Sequence, residues 1–121
     1  FSTFISYGEK LERTFTDVKN PIIFLSHNAP YMSKTVDIIG PMAHKRVRGQ
    51  HFGSINTRRA IDKYQPILCI CGHIHETQGI DYIGKTTVVN CGFGAKGEYA
   101  IIDLDKDKVR DVKLIKGETW K

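Results

Sequence analysis

Two unbroken apolar runs, Pro21-Ile22-Ile23-Phe24-Leu25 and Ile67-Leu68-Cys69-Ile70-Cys71, stand out along the chain, each followed by polar or turn residues. Short apolar runs bounded by turn residues predict strands buried on both faces, which belong in a parallel or mixed sheet rather than at a half-wet edge. Between them Gly53-Ser54 offers an N-cap, and Ile55, Ala60, Ile61 and Tyr64 suit one buried side of a helix ending at Gln65-Pro66. Strand, helix and strand over residues 21–71 therefore read as one right-handed βαβ crossover. Upstream, Phe4, Leu11, Phe15 and Val18 include the spacings of a helix face and predict a helix over residues 8–18, punctuated by Asn20-Pro21. Downstream of His75 the texture changes to short β-rich pieces at 81–85, 86–89, 99–104 and 109–115, with a hairpin turn at Asp105-Lys106-Asp107-Lys108. Residues 29–52 keep no period at all, and loops of that length are uncommon unless they are functional.

Composition narrows the class. With 121 residues, 40% hydrophobic and 26% charged, the chain can bury a core and is expected to form one domain, residues 1–121; disordered and collagen-like readings are excluded. No apolar run approaches the roughly 18 residues of a membrane span, so no membrane partner is expected. Three cysteines without a secretory leader predict a reducing compartment, hence a cytoplasmic location. The net charge of +5 suits phosphorylated ligands or nucleic acid, and equally an ordinary solvated surface.

The chemistry concentrates at the strand ends. Gly72-His73-Ile74-His75 directly follows the second apolar run, and His27 follows the first. In an open parallel sheet, ligands collect at the carboxyl ends of strands, where residues of adjacent strands come within coordination reach. Imidazole suits borderline and first-row transition metals, and the small Gly72 is expected to let the chain turn so that His73 and His75 face different ions. The competing reading is a set of hydrogen-bonded structural histidines. Cys69 and Cys71 alternate with the histidines, but residues two apart on a strand lie roughly 6.5 to 7 Å from each other. That is too far for a shared tetrahedral zinc, and they are read as buried thiols. Lys45, Arg46, Arg48, Arg58 and Arg59 either gather a phosphate or are solvated; His44 and His51 are candidate substrate contacts or proton donors. The Gly53-Ser54 helix start could also hold an anion.

Taken together, Phe24-Leu25-Ser26-His27-Asn28-Ala29-Pro30, Gly53-Ser54 with Arg58-Arg59-Ala60-Ile61, Gln65-Pro66, Gly72-His73-Ile74-His75-Glu76 and Val88-Val89-Asn90-Cys91-Gly92 resemble, in order and spacing, the carboxyl-terminal half of the calcineurin-like metallophosphoesterases. The resemblance implies a mixed α/β fold of the αββα sandwich type. Here it would be a partial fold with one βαβ unit and a β-rich tail on the second sheet. It further implies a binuclear site of two divalent transition metal ions, Mn, Fe, Zn or Ni. His27 and His73 would hold the second ion and His75 the first. The activity implied is cleavage of phosphomonoesters or phosphodiesters by a metal-bound hydroxide. His51 is the catalytic candidate, and Asn28, Arg46 and Arg48 are the expected contacts to the phosphate ester substrate.

Asp-x-His, Gly-Asp-x-x-Asp and Gly-Asn-His-Asp or Glu, the family's earlier motifs, do not occur, and Asn90-Cys91-Gly92 stands where many relatives have Asn-Pro-Gly. The missing amino-terminal half is therefore expected in cis or in trans, and a chain opening on Phe1 favours the first. Alone, the chain is expected to be inactive and, with apolar edges exposed, to associate into homo-oligomers. The alternative is a truncated, non-catalytic nucleotide- or nucleic-acid-binding or scaffold module.

Overall fold

A computed structural model of the chain describes residues 2–16, 18–40, 45–46 and 48–117. The elements are α1 (Ser2–Phe15), β1 (Ile23–Leu25), α2 (Ile55–Tyr64), β2 (Leu68–Cys71), β3 (Gly79–Ile83), β4 (Thr86–Asn90), one 3-10 turn (Gly94–Lys96), β5 (Tyr99–Asp105) and β6 (Lys108–Ile115). β1, β2 and β4 run parallel side by side, and β3 closes the far edge antiparallel to β4. β5 and β6 form a separate antiparallel hairpin. The α/β class, the β1–α2–β2 crossover and the β-rich tail agree with the expected partial sandwich.

Each local prediction has a physical outcome. Ser54 caps α2, its side chain accepting from the Thr57 N–H at 3.2 Å, and Gln65 ends the helix in the left-handed conformation. α1 lies earlier than residues 8–18 and is finished at Phe15. The Thr16 N–H turns back to the Arg13 carbonyl and the Thr16 hydroxyl to the Glu12 carbonyl, leaving Val18 exposed. Phe15 is the anchor: its ring meets Phe24 of β1 edge to face at 5.0 Å and stacks on Tyr64 of α2 at 4.9 Å.

β1 departs from the expectation of a strand buried on both faces. It is an edge strand, bonded to β2 alone among the described residues, with Ile23 45% and Leu25 71% exposed. Only Phe24 turns toward the core. By contrast β2 and β4, the inner strands, bury Leu68, Cys69, Cys71, Val88 and Val89.

The aperiodic segment is organised around one side chain, Asp37. Its wholly buried carboxylate accepts from the N–H groups of Met32 (3.0 Å), Ser33 (3.0 Å) and Gly53 (3.2 Å), from the Ser33 hydroxyl and from His51 Nδ1 (2.9 Å). Ile38 and His51 pair as an isolated antiparallel bridge, and Pro30 and Ser54 as a parallel one. The second bridge requires Gly53: a Cβ there would lie 2.6 Å from the backbone carbonyl carbon and oxygen of Pro30. Gly53→Ala is expected to cost about 1–3 kcal/mol by overpacking against backbone that cannot yield. A urea unfolding midpoint unchanged from the natural chain would contradict this.

Gln78 fastens the hairpin to the main sheet. Its side-chain Nε2 lies within donating distance of the carbonyls of Cys91 (3.2 Å), Tyr99 (3.3 Å) and Ile115 (2.9 Å).

Candidate functional site

The carboxyl ends of β1 and β2 bring His27 and His73 together, with Nε2 of the first 3.0 Å from Nδ1 of the second. Both rings are exposed. The register explains the meeting, since Leu25 pairs with Ile70 and the Gly72 N–H then donates to the His27 carbonyl at 3.1 Å. The turn that aims His73 is not made by Gly72, as the sequence suggested. A Cβ at Gly72 would find only the His27 carbonyl oxygen, 4.0 Å away, whereas His73 itself has φ +68°. The Ile74 N–H donates back to the Gly72 carbonyl at 2.8 Å across it, a three-residue turn with a non-glycine residue in the left-handed region. Such a conformation costs about 1–3 kcal/mol and persists only where its surroundings enforce it.

Those surroundings are Asn90 and Thr77, both buried. Asn90 Nδ2 lies within donating distance of the carbonyls of Ile74 (3.1 Å) and Val36 (3.3 Å) and of the Thr77 hydroxyl (3.0 Å), while its Oδ1 accepts from the Gly92 N–H at 3.0 Å. The Thr77 hydroxyl lies within reach of the same two carbonyls. Ile74, gripped between the two histidines, is thereby tied to β4 and to the Asp37 loop. Cys91 contributes through its backbone: its N–H, which a proline would lack, donates to the Cys71 carbonyl at 3.2 Å.

His75 takes a different course from His73, its ring stacked flat on Phe93 at 4.1 Å between centroids. Both line one cavity of about 500 Å³ together with Ile39, Phe52, Ile74 and Glu76. Among the described residues no group of three His, Cys, Asp or Glu side chains converges as a metal-ligating cluster. The histidines thus divide into a touching pair and a separate third, all at one end of the sheet.

The remaining candidates are placed as follows. Asn28 is exposed beside His27, and Arg46 and Arg48 are exposed on the loop. His51 is committed through Nδ1 to Asp37, and its neighbour Phe52 lines the cavity. His44 lies outside the described residues. Arg58 braces the loop, its guanidinium reaching Asp62 and the carbonyls of Tyr31 (3.2 Å) and Met32 (3.0 Å). The N–H groups of Gly53 and Ser54, expected to be open to an anion, are spent on Asp37 and on the Ala29 carbonyl. Asp37 and Thr77 carry no motif of their own, and Asn90 lies in the Val88-Val89-Asn90-Cys91-Gly92 stretch, to which the sequence assigned no role.

Cys69 and Cys71 are buried thiols of β2, Cys71 donating to the Val89 carbonyl at 3.5 Å. The neighbouring Cys69 thiol and burial push Cys71 far above the ordinary 9.0, and burial raises half-buried Cys91 as well. The thiolate is the reacting form. At pH 8 a thiol reagent is therefore expected to modify Cys91 slowly and Cys69 and Cys71 only after unfolding. Because these folded-state values are raised, the thiols favour the fold below their ordinary value, and that contribution is lost as pH rises through 9.0 and above. Rapid native-state labelling of all three, followed by mass spectrometry, would contradict the placement.

A mixed sheet with His27 and His73 at the ends of adjacent parallel strands joined by a βαβ crossover is the partial α/β fold that the resemblance to the calcineurin-like metallophosphoesterases led us to expect. The profile of the metallophosphoesterases of the calcineurin superfamily matches residues 16–114, and the chain belongs to that family. It is 35% identical over 104 residues to the uncharacterized protein MJ1162 of Methanocaldococcus jannaschii, covering 83% of this chain and 42% of that protein. One crystal structure superimposes with a TM-score of 0.74 at 26% identity, over 93% of this chain and 39% of the other. TT1561 of Thermus thermophilus gives a TM-score of 0.49 at 25% identity, over 89% of this chain and 40% of the other. The chain spans about two-fifths of the length of these relatives. No helix among the described residues is long and apolar enough to cross a membrane.

Proposed function

We propose that the chain is the carboxyl-terminal portion of a metal-dependent phosphohydrolase that cleaves phosphomonoesters or phosphodiesters at a binuclear site. The observation that carries this reading is the 3.0 Å meeting of His27 and His73 at the ends of adjacent parallel strands, with His75 held apart on the same cavity. His27 and His73 would hold one ion and His75 the other. Exposed imidazoles suit Fe, Zn or Ni, and oxygen ligands from the other half of the fold would suit Mn. When bound, two such ions lower the pKa of water and neutralise charge on phosphoryl oxygens.

The donor set fits each ion only in part, so the remaining ligands belong to the first half of the fold, supplied in cis or in trans. The exposed apolar face of β1 supports a seat for that half, as does the two-fifths coverage of the relatives. The residues of this chain orient the site: Asn90 and Thr77 hold the strained turn at His73, and Asp37 holds the loop. Asn28, Arg46 and Arg48 are assigned to the phosphate ester. His51, committed to Asp37, is assigned to the loop that carries Phe52. With both halves present and Mn or Ni added, release of p-nitrophenol from p-nitrophenyl phosphate or its bis ester is expected. Binding of phosphate esters without turnover would overturn the proposal in favour of a non-catalytic module.

A further inference from the structure

The cavity beside the histidines has a chemical character of its own. Ile39, Phe52 and Ile74 give it apolar walls, His73 and His75 line its other side, and Glu76 adds a carboxylate. Glu76 is half-buried, and among the described residues neither a cation nor a hydrogen-bond donor meets it. It leans on bare backbone, its Oε2 only 3.4 Å from where a Cβ at Gly40 would stand. A carboxylate withdrawn among apolar walls costs free energy until a cation or a donor reaches it.

Phe52 supplies the second half of the argument. Its ring is 48% exposed, yet its backbone is fixed on every side. Its own N–H donates to the Asp37 carbonyl at 3.0 Å, and His51 and Gly53, flanking it, both bond the Asp37 carboxylate. The backbone that carries the ring to the cavity wall is thus held before any ligand arrives. An aromatic face and a carboxylate that meets no partner among the described residues, on one cavity, are complementary to an alkylammonium group, which takes a cation–π contact from the one and a charge contact from the other.

We infer that this cavity is a specificity subsite, and that the substrates are phosphate esters in which an esterified alcohol carries a cationic amine on an apolar body. The inference rests on the phosphoesterase reading and names the substrate class of that same site. Glu76 and Phe52 determine specificity; neither takes part in the chemistry.

The test uses the assembled, metal-loaded enzyme and two diesters that release the same p-nitrophenol. One bears choline, and the other bears the neohexyl group, its uncharged carbon isostere. The natural protein is expected to favour the choline ester about tenfold in kcat/KM, as one desolvated cation contact allows. Glu76→Gln is expected to erase that preference by slowing the choline ester alone, leaving the neohexyl ester and the metal content unchanged. Equal kcat/KM for the two esters in the natural protein would overturn the inference while leaving the phosphoesterase reading intact. So would an equal loss on both esters in Glu76→Gln, or a loss of metal in that variant, which would make Glu76 a ligand or a structural residue. Turnover of neither ester, with p-nitrophenyl phosphate and its bis ester also left uncleaved, would overturn the phosphoesterase reading and the inference with it; cleavage of p-nitrophenyl phosphate or its bis ester alone would overturn the inference only.

Discussion

Replacing Asp37 by alanine is expected to destabilise the domain by about 3–5 kcal/mol, the range found when one partner of a buried charged network is removed. Five donors lose their acceptor at once: the N–H groups of Met32, Ser33 and Gly53, the Ser33 hydroxyl and His51 Nδ1. Each donor left buried without a partner costs about 1–3 kcal/mol, offset where the loosened loop lets water in. Against a typical total of about 5–15 kcal/mol, this is a large fraction of the stability of the fold. The loss should be uneven. Hydrogen exchange should quicken first at the amides of residues 32, 33 and 53, because each of them donates to this carboxylate. Asp37→Asn should fall between, since its amide keeps one acceptor oxygen but turns a donor toward other donors. Urea unfolding that shifted by less than about 1 kcal/mol would show that the loop is held by something else.

His73→Gly is expected to leave stability nearly unchanged and to cost the assembled enzyme its turnover. Glycine adopts positive φ freely, so the substitution releases the strain of a histidine at +68°. That gain, about 1–2 kcal/mol, is offset by the lost contact to His27 and by the greater chain entropy of glycine. Stability should therefore stay within about 1 kcal/mol of the natural protein. Turnover by the assembled enzyme should fall by more than about 100-fold, because even residues that only support metal ligands are worth 10- to 100-fold. A residue that is strained, exposed and dispensable to the fold is held there for another purpose. If His73→Gly unfolded the domain, or left turnover intact, that explanation of the strain would fail.

Much of the frame was legible because its signals are local. The two apolar runs are β1 and β2, Ser54 caps α2, and Asp105-Lys106-Asp107-Lys108 does turn the last hairpin. What was not legible depended on something outside the segment being read. An apolar run reports that a strand is suited to burial, and cannot report whether its neighbour belongs to the same chain; Ile23 and Leu25 are apolar and exposed for that reason. Helix spacing around Phe15 was visible, but the end of α1 was decided by backbone capping at Thr16 rather than by Asn20-Pro21. In the loop, Asp37 looked like any surface acid. Its partners lie at residues 32, 33, 51 and 53, and no periodic pattern links them.

At the site, the histidines themselves were legible from Gly72-His73-Ile74-His75 and His27, since strand ends in a parallel sheet must lie side by side. The means of aiming them was not. Glycine was the evident candidate for the turn, and the strain sits instead on His73, enforced by nearby Thr77 and by Asn90 on another strand, whose distance in sequence spacing rules do not cover. Phe52 and Glu76 were likewise silent until the loop and the β2–β3 turn were seen to wall one cavity.

The division of labour among the three histidines is best tested by counting metal in the assembled domain, after dialysis, for the natural protein and for His27→Ala, His73→Ala and His75→Ala. Two ions are predicted in the natural protein and one in each variant. His27→Ala and His73→Ala should lose the same ion, and His75→Ala the other, as told by loading with two different metals in turn. Retention of two ions at unchanged affinity in all three variants would contradict the assignment.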